Sequence, residues 1–355
     1  MKRSKTRLLA VLVIGALAPA CAMMTAAPPP QPVGPKPEIS PMSVLCDDPS
    51  LGDDGFCLPV DRALEMLRDP ARETLYVKFA TGGFSMPRVL YLAVPADGAP
   101  GGRIVFKGKW KPAGAGGEAF NNVPRKERAA YRVQTLFLEP EHYVVPPGIG
   151  ECIPLDYHER VIGPAVQSFD GADCVYGLLA YWVENVTLDD ARDLARFETD
   201  EKYARSLAYL NLLCHLIDHR DSRDANFLVA VDPERPRVFG IDNGLAFGGF
   251  RNPFTPFLMN FAKLHVGRLP RDAIERLRRL TRADLDASLS VIDQFEIRAG
   301  QLVAVEPTAP LDVESGVRRQ GDVVQFGLTR REIDGVEKRL IELLERIDDG
   351  EIALF

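Results

Sequence analysis

Residues 215–229, HLIDHRDSRDANFLV, concentrate charged and amide side chains between two apolar runs. The apolar residues that precede this stretch recur at helical spacing, and Asp200 stands where that helix would be capped. The run NFLVAV, which overlaps the end of the quoted stretch, has the β-branched and aromatic composition of a short strand. The polar stretch is therefore the junction between a buried helix and a buried strand.

Outward from this junction, the chain reads as a strand-rich half followed by a helix-rich half. The runs LYVKFA, RVLYLAV, RIVFKG and VYGLLAYWV predict strands, and NNVPRKERAAYRVQTLF predicts a helix with Asn122 as its cap and Pro124 in its first turn. NFLVAV and RVFGID predict a hairpin, and the chain beyond Phe250 reads as mostly helical. This order predicts an α+β fold of two lobes with a cleft between them.

Composition gives the broad class of the protein. The chain has 355 residues, of which 46% are hydrophobic and 26% charged, so it can form a core of ordinary size. Its net charge is −7 and it has no basic block after the N-terminus. Because nucleic-acid binding depends on a basic surface, we expect no nucleic-acid partner.

The N-terminus predicts export from the cytoplasm. MKRSKTR is basic and LLAVLVIGALAPA is a short apolar run, so residues 1–21 read as a signal peptide. Cys21 follows small residues, as in bacterial lipoprotein signals, and its lipidation would anchor the protein to a membrane facing the periplasm or the cell exterior. A plain cleaved signal is the alternative. Residues 22–44 are proline-rich and predict a tether, and residues 45–70 predict a small element with one helix, DRALEMLRD.

The cysteines fit an exported protein, in which disulfides can persist. Cys46 and Cys57 bracket the polar loop CDDPSLGDDGFC, and we expect a disulfide between them. A second pair, between Cys152 and Cys174, is a weaker candidate. Cys214 lies in an apolar helical stretch and is expected to be a buried thiol.

Four side chains at or near the polar junction suggest a chemistry. Asn226 precedes one strand of the predicted hairpin and Asp242 follows the other, so both can bind one cation, and Mg²⁺ prefers such oxygen ligands. Asp221 can lie beside an acceptor hydroxyl, and Arg223 can offset charge on a transferred group. Phosphoryl transfer needs this positioning and neutralisation of charge. The plain alternative is that Asp221 and Asn226 only cap a turn.

The strand-rich half contains a candidate lysine and carboxylate. Lys107 ends the run IVFK and can reach the phosphates of a nucleotide if a carboxylate holds it in place. Glu127 on the following helix is the expected partner, and Glu118 is the alternative. Lys109 faces the same way as Lys107 if the strand continues, so it is a rival for this role, and Lys111 is a further rival.

A glycine-containing loop joins the first two predicted strands. It reads TGGFS, and the backbone of Gly82, Gly83 and Ser85 can cover nucleotide phosphates. An ordinary hairpin turn explains the same residues.

These motifs resemble those of kinases. HRDSRDAN matches the catalytic-loop pattern H-R-D-x-x-x-x-N, and IDNG is similar to the D-F-G site with Asn243 in place of phenylalanine. Together with FKGKWKP, RKERAAYRV and YGLLAYWVENV, residues 75–250 resemble the atypical kinase-fold families, namely bacterial phosphatidylinositol 3/4-kinase-like proteins and animal secretory-pathway kinases. The loop before the second strand is not G-x-G-x-x-G, no A-P-E follows IDNG, and Asp-Ser-Arg stands where these families commonly have Asp-Arg-His.

The resemblance implies a fold and a set of roles. It implies a small β-rich lobe over residues 71–176, a larger helical lobe over residues 177–355, and ATP with Mg²⁺ or Mn²⁺ between them. Asp221 would be the catalytic base. Lys107 would contact the phosphates with Glu127 as its partner, and Asn226 and Asp242 would bind the metal.

We therefore expect an ATP- and Mg-dependent phosphotransferase that acts outside the cytoplasm on a hydroxyl acceptor of a protein, sugar or lipid. The main alternative is an inactive pseudokinase that serves as a nucleotide-binding or protein-binding module. A third hypothesis is a zinc hydrolase, because His215 and His219 have the spacing of a helical zinc pair. Leu216 stands where the H-E-x-x-H motif needs glutamate.

Overall fold

The computed structural model confirms a mixed α+β architecture built on small antiparallel sheets. It describes residues 35–40, 45, 58–79, 87–119, 122–188, 191–248 and 261–355. The signal peptide with Cys21, most of the tether, the Cys46–Cys57 pair and the loop with Gly82, Gly83 and Ser85 lie outside these residues.

The described residues form helices of very different length. They are α1 (Val60–Arg68), α2 (Pro124–Thr135), α3 (Leu155–Tyr157), α4 (Leu194–Thr199), α5 (Glu201–Leu216), α6 (Arg271–Leu277), α7 (Arg282–Leu289) and α8 (Arg330–Asp348).

The strands fall into four sheets. They are β1 (Glu73–Phe79), β2 (Arg88–Pro95), β3 (Arg103–Pro112), β4 (Gly148–Pro154), β5 (Cys174–Tyr181), β6 (Val186–Thr187), β7 (Phe227–Ala230), β8 (Val238–Gly240), β9 (Arg268–Leu269), β10 (Asp293–Arg298), β11 (Gln301–Val305), β12 (Val317–Gln320), β13 (Val323–Phe326) and β14 (Ala353–Leu354).

The first sheet contains β1 to β5 in the order β1-β2-β3-β5-β4, with every pair antiparallel. The strand predictions for this half are confirmed. Strand β2 is apolar over most of its length and buried from Arg88 to Val94, as expected for a central strand covered on both faces. Helix α2 follows β3 and packs against β4 and β5.

Helix α2 begins as the sequence indicates, but with a different cap. Pro124 is its first residue, where the missing N–H of proline is tolerated. The expected cap at Asn122 is wrong, because the Asn122 side-chain N–H donates to the Pro112 carbonyl at 2.5 Å instead. Asn122 thus fixes the end of β3 relative to the start of α2.

The end of the predicted tether is held on the first sheet. The Ser40 N–H donates to the Val105 carbonyl at 2.9 Å, and the Val105 N–H donates to Ser40 Oγ at 2.8 Å. These bonds use part of β3 that β5 leaves unpaired, because β5 pairs only with residues 108–112. The described end of this segment therefore belongs to the folded structure.

Helix α5 runs through the main apolar core and leads into the polar junction. Asp200 caps it by accepting from the Tyr203 N–H at 3.1 Å, which confirms the predicted start. Its side chains are buried at most positions, including Leu207, Leu210 and the free thiol of Cys214. Strands β7 and β8 form the predicted hairpin directly after the junction, with β6 on the outer side of β7.

The expectation of a mostly helical chain beyond Phe250 is wrong for residues 293–326. These residues form a second antiparallel sheet in the order β11-β10-β13-β12. Ala299 and Gly300 both have positive φ, 48° and 77°, and make the two-residue turn between β10 and β11. The sequence prediction missed this turn because alanine rarely adopts that conformation. Helices α6 and α8 agree with the helical character that is expected for this part of the chain.

The second sheet packs against the first through an aromatic cluster. Tyr176 of β5 stacks on Phe326 of β13 with 4.0 Å between ring centroids, and Phe169 and Phe295 meet the same rings edge-on. Such aromatic pairs add stabilisation beyond the area that they bury. The two sheets therefore share a small core of their own.

The weaker of the two candidate cysteine pairs forms a disulfide among the described residues. Cys152 of β4 and Cys174 of β5 are joined, with their Cα atoms 5.5 Å apart on adjacent strands. A disulfide fits an oxidising compartment. In the part of the chain that the structure describes, we find no helix with the length and apolarity to span a bilayer.

Candidate functional site

A cleft of about 530 Å³ lies between the first sheet and the β7–β8 hairpin. One part of its wall is apolar and includes Val145, Leu178, Ala180 and Leu228. The other part is polar and includes Lys109, Glu127, Arg223, Asn226 and Asp242. Four of the predicted site residues therefore line a single cavity, although they come from α2, the polar junction and the end of the hairpin.

Lys111, and not Lys107, is the lysine that meets Glu127. The Lys111 ammonium donates to Glu127 Oε1 at 2.7 Å and to Asp242 Oδ1 at 2.6 Å, and its side chain is only 1% exposed. The expected Lys107–Glu127 pair is wrong, because Lys107 lies 2.5 Å from Glu184 Oε1 at the other end of the strand face.

The extent of β3 explains this correction. Strand β3 runs to Pro112, so its lysines at alternate positions project from the same face. Glu127 lies in the first turn of α2, close in sequence to the end of β3. Of the three lysines, Lys111 is therefore nearest to it. Glu118, the alternative partner, pairs with Arg125 at 2.5 Å instead.

Charge and burial act together on this triad of Lys111, Glu127 and Asp242. Burial alone would lower the pKa of Lys111, but Glu127 and then Asp242 raise it above its usual range. Burial alone would raise the pKa of the Asp242 carboxyl, whereas Lys111 and then Lys109 lower it well below the ordinary value. The ion pairs prevail over desolvation, so Lys111 and Asp242 are both charged at neutral pH.

Backbone geometry fixes Asp242 and Glu127 relative to each other. Asp242 has φ 64° and ψ 53°, a left-handed conformation that aspartate tolerates better than most residues. The chain turns there, and the N–H of Asn243 donates to Glu127 Oε2 at 2.9 Å. Glu127 therefore holds both the lysine and the backbone that follows Asp242.

The polar junction places Asp221 and Asn226 in one turn. The Asn226 side-chain N–H donates to the Asp221 carbonyl at 2.7 Å and to Asp221 Oδ2 at 3.3 Å. Arg223 lies 3.6 Å from Asp221 Oδ1 and is 46% exposed, so it can reach a ligand in the cleft. Asp221 itself is not among the residues that line the cleft, although Asn226, which it contacts, is.

The two histidines have separate environments. His215 Nδ1 lies 2.8 Å from the Ala262 carbonyl. His219 is fully buried, and burial lowers its pKa. Neither of its ring nitrogens has a hydrogen-bond partner among the described residues. No group of three or more His, Cys, Asp or Glu side chains within the described ranges is placed to hold a metal, so nothing there favours the zinc hypothesis.

Asn226 and Asp242 are candidates to hold a divalent cation such as Mg²⁺. Both residues line the same cleft and both side chains carry oxygen atoms. The hydrogen bonds that the structure describes use the amide nitrogen of Asn226. Mg²⁺ in nucleotide sites commonly takes only one or two protein ligands and completes its shell with phosphates and water.

Several contacts around the site were missed by the sequence analysis. Lys126 donates to the carbonyls of Ala246 at 2.8 Å and Gly248 at 3.2 Å, so α2 also holds the segment after Asp242. Glu184 lines the cleft beside Lys107. Lys126 and Glu184 lie in the runs RKERAAYRV and YGLLAYWVENV, but nothing in those runs indicates these contacts.

Comparison with known proteins does not assign the chain to a family. Neither protein-family models nor curated proteins give a match to this chain.

Proposed function

We propose that the protein is an ATP- and Mg²⁺-dependent phosphotransferase with a two-lobed, protein-kinase-like fold. The observation that supports this most strongly is the triad of Lys111, Glu127 and Asp242, which joins β3, α2 and the end of the hairpin and in which Lys111 and Glu127 are buried. Nothing in the packing of an apolar core requires three charges at one point, and burying them is costly unless they are paired.

The fold proposal assigns the first sheet and α2 to a small lobe and the following chain to a larger lobe. The boundary expected at residue 176 falls inside β5, so the small lobe of this proposal extends to Tyr181. The cleft between β5 and the β7–β8 hairpin would then hold the nucleotide. Its apolar part suits a base, and its polar part suits phosphates.

Each polar residue has a proposed role in the transfer. Asp221 accepts the proton of the acceptor hydroxyl. The Asn226 amide orients Asp221 by donating a hydrogen bond to the Asp221 carboxylate. Arg223 offsets the charge of the phosphoryl group as it moves. Asn226 and Asp242 would hold Mg²⁺, which neutralises phosphate charge when bound.

The location and the acceptor are proposed on different grounds. We infer export and lipid anchoring through Cys21 from the N-terminal sequence, and the Cys152–Cys174 disulfide is consistent with export. The acceptor is a hydroxyl group on a protein, sugar or lipid.

Transfer of label from γ-labelled ATP tests the activity. We expect the purified protein to release or transfer labelled phosphate with Mg²⁺, and Asp221→Asn to reduce the rate by about 10²-fold or more, because a positioned base contributes that much. Asp218→Asn is the matched control, since Asp218 pairs with Arg220 and has no proposed role.

Binding and transfer distinguish the enzyme from the pseudokinase. A parent protein that binds Mg²⁺-ATP but transfers no more label than Asp221→Asn would be a nucleotide-binding pseudokinase. A parent that shows neither binding nor transfer would contradict both hypotheses.

A further inference from the structure

The face of β3 that meets the cleft carries three lysines in a row, and the outer two are paired. Lys107 is paired with Glu184. Lys111 is paired with Glu127 and Asp242. These ion pairs already balance the charge of both lysines, so neither is free to neutralise a further anion fully.

Lys109, the middle lysine, lines the cleft and has no such partner. Among the described residues, no carboxylate lies within ion-pair distance of its ammonium group and no hydrogen bond is recorded from it. Burial, and next the neighbouring Lys111, lower the pKa of Lys109, and Asp242 and Glu127 offset this only in part. Lys109 is partly buried, where a cation without a counter-charge is unfavourable, and an anionic ligand would relieve that cost.

The position of Lys109 selects the part of a nucleotide that it would meet. Alternate residues of a strand are about 7 Å apart, so Lys107 and Lys111 lie about 14 Å apart at their Cα atoms with Lys109 midway. One end of this row is at Glu184. Across the sheet, Ala180 of the apolar cleft wall lies opposite Lys109 and Leu178 lies opposite Lys111, so the wall that we assign to the base runs beside this part of the row. The other end is at Asp242, which we assign to the metal.

We propose that Lys109 binds the phosphate chain of a nucleoside di- or triphosphate in this cleft. The assignment rests on the proposed function and deepens it. Lys111 then acts as a positioning residue for Glu127 and Asp242, and Lys109 supplies the charge that recognises phosphate.

Affinities for ATP, ADP and adenosine, measured with Mg²⁺ by calorimetry, test this assignment. Lys109→Met should weaken ATP and ADP binding about ten-fold or more, the loss expected for one charge-assisted hydrogen bond, and leave adenosine binding unchanged. Lys107→Met is the matched control. It removes the same charge from the same strand face, and it should leave the ratio of ATP to adenosine affinity at the parent value. Lys109→Arg should restore part of that ratio.

Stability supplies a readout that needs no ligand. Since methionine replaces a partly buried charge that has no ion-pair partner among the described residues, Lys109→Met should unfold at a temperature equal to or above that of the parent. Such a melting temperature would exclude misfolding as the cause of a loss of binding. If the parent binds ATP and Lys109→Met keeps the parental ratio of ATP to adenosine affinity, the assignment of Lys109 alone is wrong. If the parent binds none of the three ligands, the proposed function is wrong and this assignment falls with it.

Discussion

At the scale of single residues, Lys111 is the residue that joins the most separate parts of the site. It touches Glu127 of α2 and Asp242 beyond β8, which are 16 and 131 positions away in sequence. Without its ammonium group, two carboxylates would remain close together in a buried place. Its first role is therefore structural, and the geometry of the cleft depends on it.

Lys111→Met should lower the free energy of unfolding by about 3 kcal/mol or more, because breaking a buried ion pair leaves uncompensated charge. Lys107→Met removes a pair that is partly exposed, so its effect should be about 1 kcal/mol or less. Urea unfolding of both variants measures the difference. Equal effects would contradict the assignment of the central ion pairs to Lys111.

A second residue-scale prediction concerns His158, which is fully buried under the first sheet. Trp110 Nε1 donates to its Nε2 at 3.0 Å, and its Nδ1 lies 2.7 Å from the Gly163 carbonyl. The neutral ring satisfies both contacts. Burial lowers the pKa of His158 to about 4.

The unfolded chain, with a histidine pKa of about 6.5, takes up a proton that the folded protein excludes. Stability should therefore fall as the pH drops from 7 towards 4, by about 2 kcal/mol at pH 5 from this group. His158→Gln, which keeps a donor and an acceptor, should lose that part of the pH dependence. Urea unfolding at pH 7 and pH 5 measures it, and an unchanged difference between the two pH values would refute it.

The sequence identified some of these residues and missed others for a physical reason. Asp221 and Asn226 are five positions apart in one turn, so their proximity follows from local structure. The choice among Lys107, Lys109 and Lys111 is different, because the period of a strand places all three on one face. The end of β3 and the start of α2 decide which one meets Glu127, and sequence patterns locate such boundaries poorly.

At the scale of elements, helix α2 is held from outside by the C-terminal part of the chain. Arg128 donates two hydrogen bonds to Asp293, both at 2.9 Å. Arg125 donates to Glu332 at 2.6 Å, and Lys126 lies 3.4 Å from the same carboxylate. Since Glu127 lies between these cations, the contacts from β10 and α8 fix its position.

Glu332→Gln tests this restraint while keeping the amide and carbonyl groups that a capping position needs. It should speed amide hydrogen exchange in residues 124–135 and weaken Mg²⁺-ATP binding, because α2 loses the charge that faces Arg125 and Lys126. Glu337→Gln is the control on the same helix, where the carboxylate pairs with Arg282 at 2.9 Å. Equal exchange in α2 for both variants would show that Glu332 does not restrain it.

No local pattern could have predicted these contacts. Asp293 and Glu332 lie 165 and 207 positions from the arginines that they bind. The local sequence explains only the role of Glu332 in the capping box of α8, which it completes with Thr329. The contacts of Glu332 and Asp293 with α2 depend on how α8 and β10 pack, which is a property of the whole fold.

At the scale of the whole molecule, the aromatic cluster links the second sheet to the first. Both tryptophans of the chain belong to the first sheet or directly follow it, at Trp110 and Trp182. Their fluorescence therefore reports the unfolding of the first sheet even when a substitution is made in the second.

Phe326→Ala should destabilise the protein by about 3–5 kcal/mol, the usual effect of truncating a buried aromatic side chain. The tryptophan transition should shift together with the far-ultraviolet circular dichroism, because the two sheets unfold as one unit. Val303→Ala on β11 is the control, since Val303 is 38% exposed and should change little. A tryptophan midpoint unaffected by Phe326→Ala would show that the sheets unfold separately.

The sequence was informative about the fold up to the β7–β8 hairpin and less so beyond it. Apolar runs bounded by turn residues indicated β1, β2, β3 and β5 correctly. The second sheet was missed because its strands are short and its turns lack the usual Asn-Gly signal, as Ala299-Gly300 shows.

The central claim is that the cleft binds a nucleotide together with Mg²⁺, and thermal unfolding of the full chain tests it most directly. The parent and Asp242→Asn would be heated alone, with ATP, and with ATP plus Mg²⁺. At a ligand concentration of 100 Kd, binding stabilises the folded state by about 2.7 kcal/mol, so the parent should melt several degrees higher. We predict this rise only with ATP and Mg²⁺ together, and its loss in Asp242→Asn. A well-folded parent whose melting temperature does not respond to saturating Mg²⁺-ATP would contradict the account.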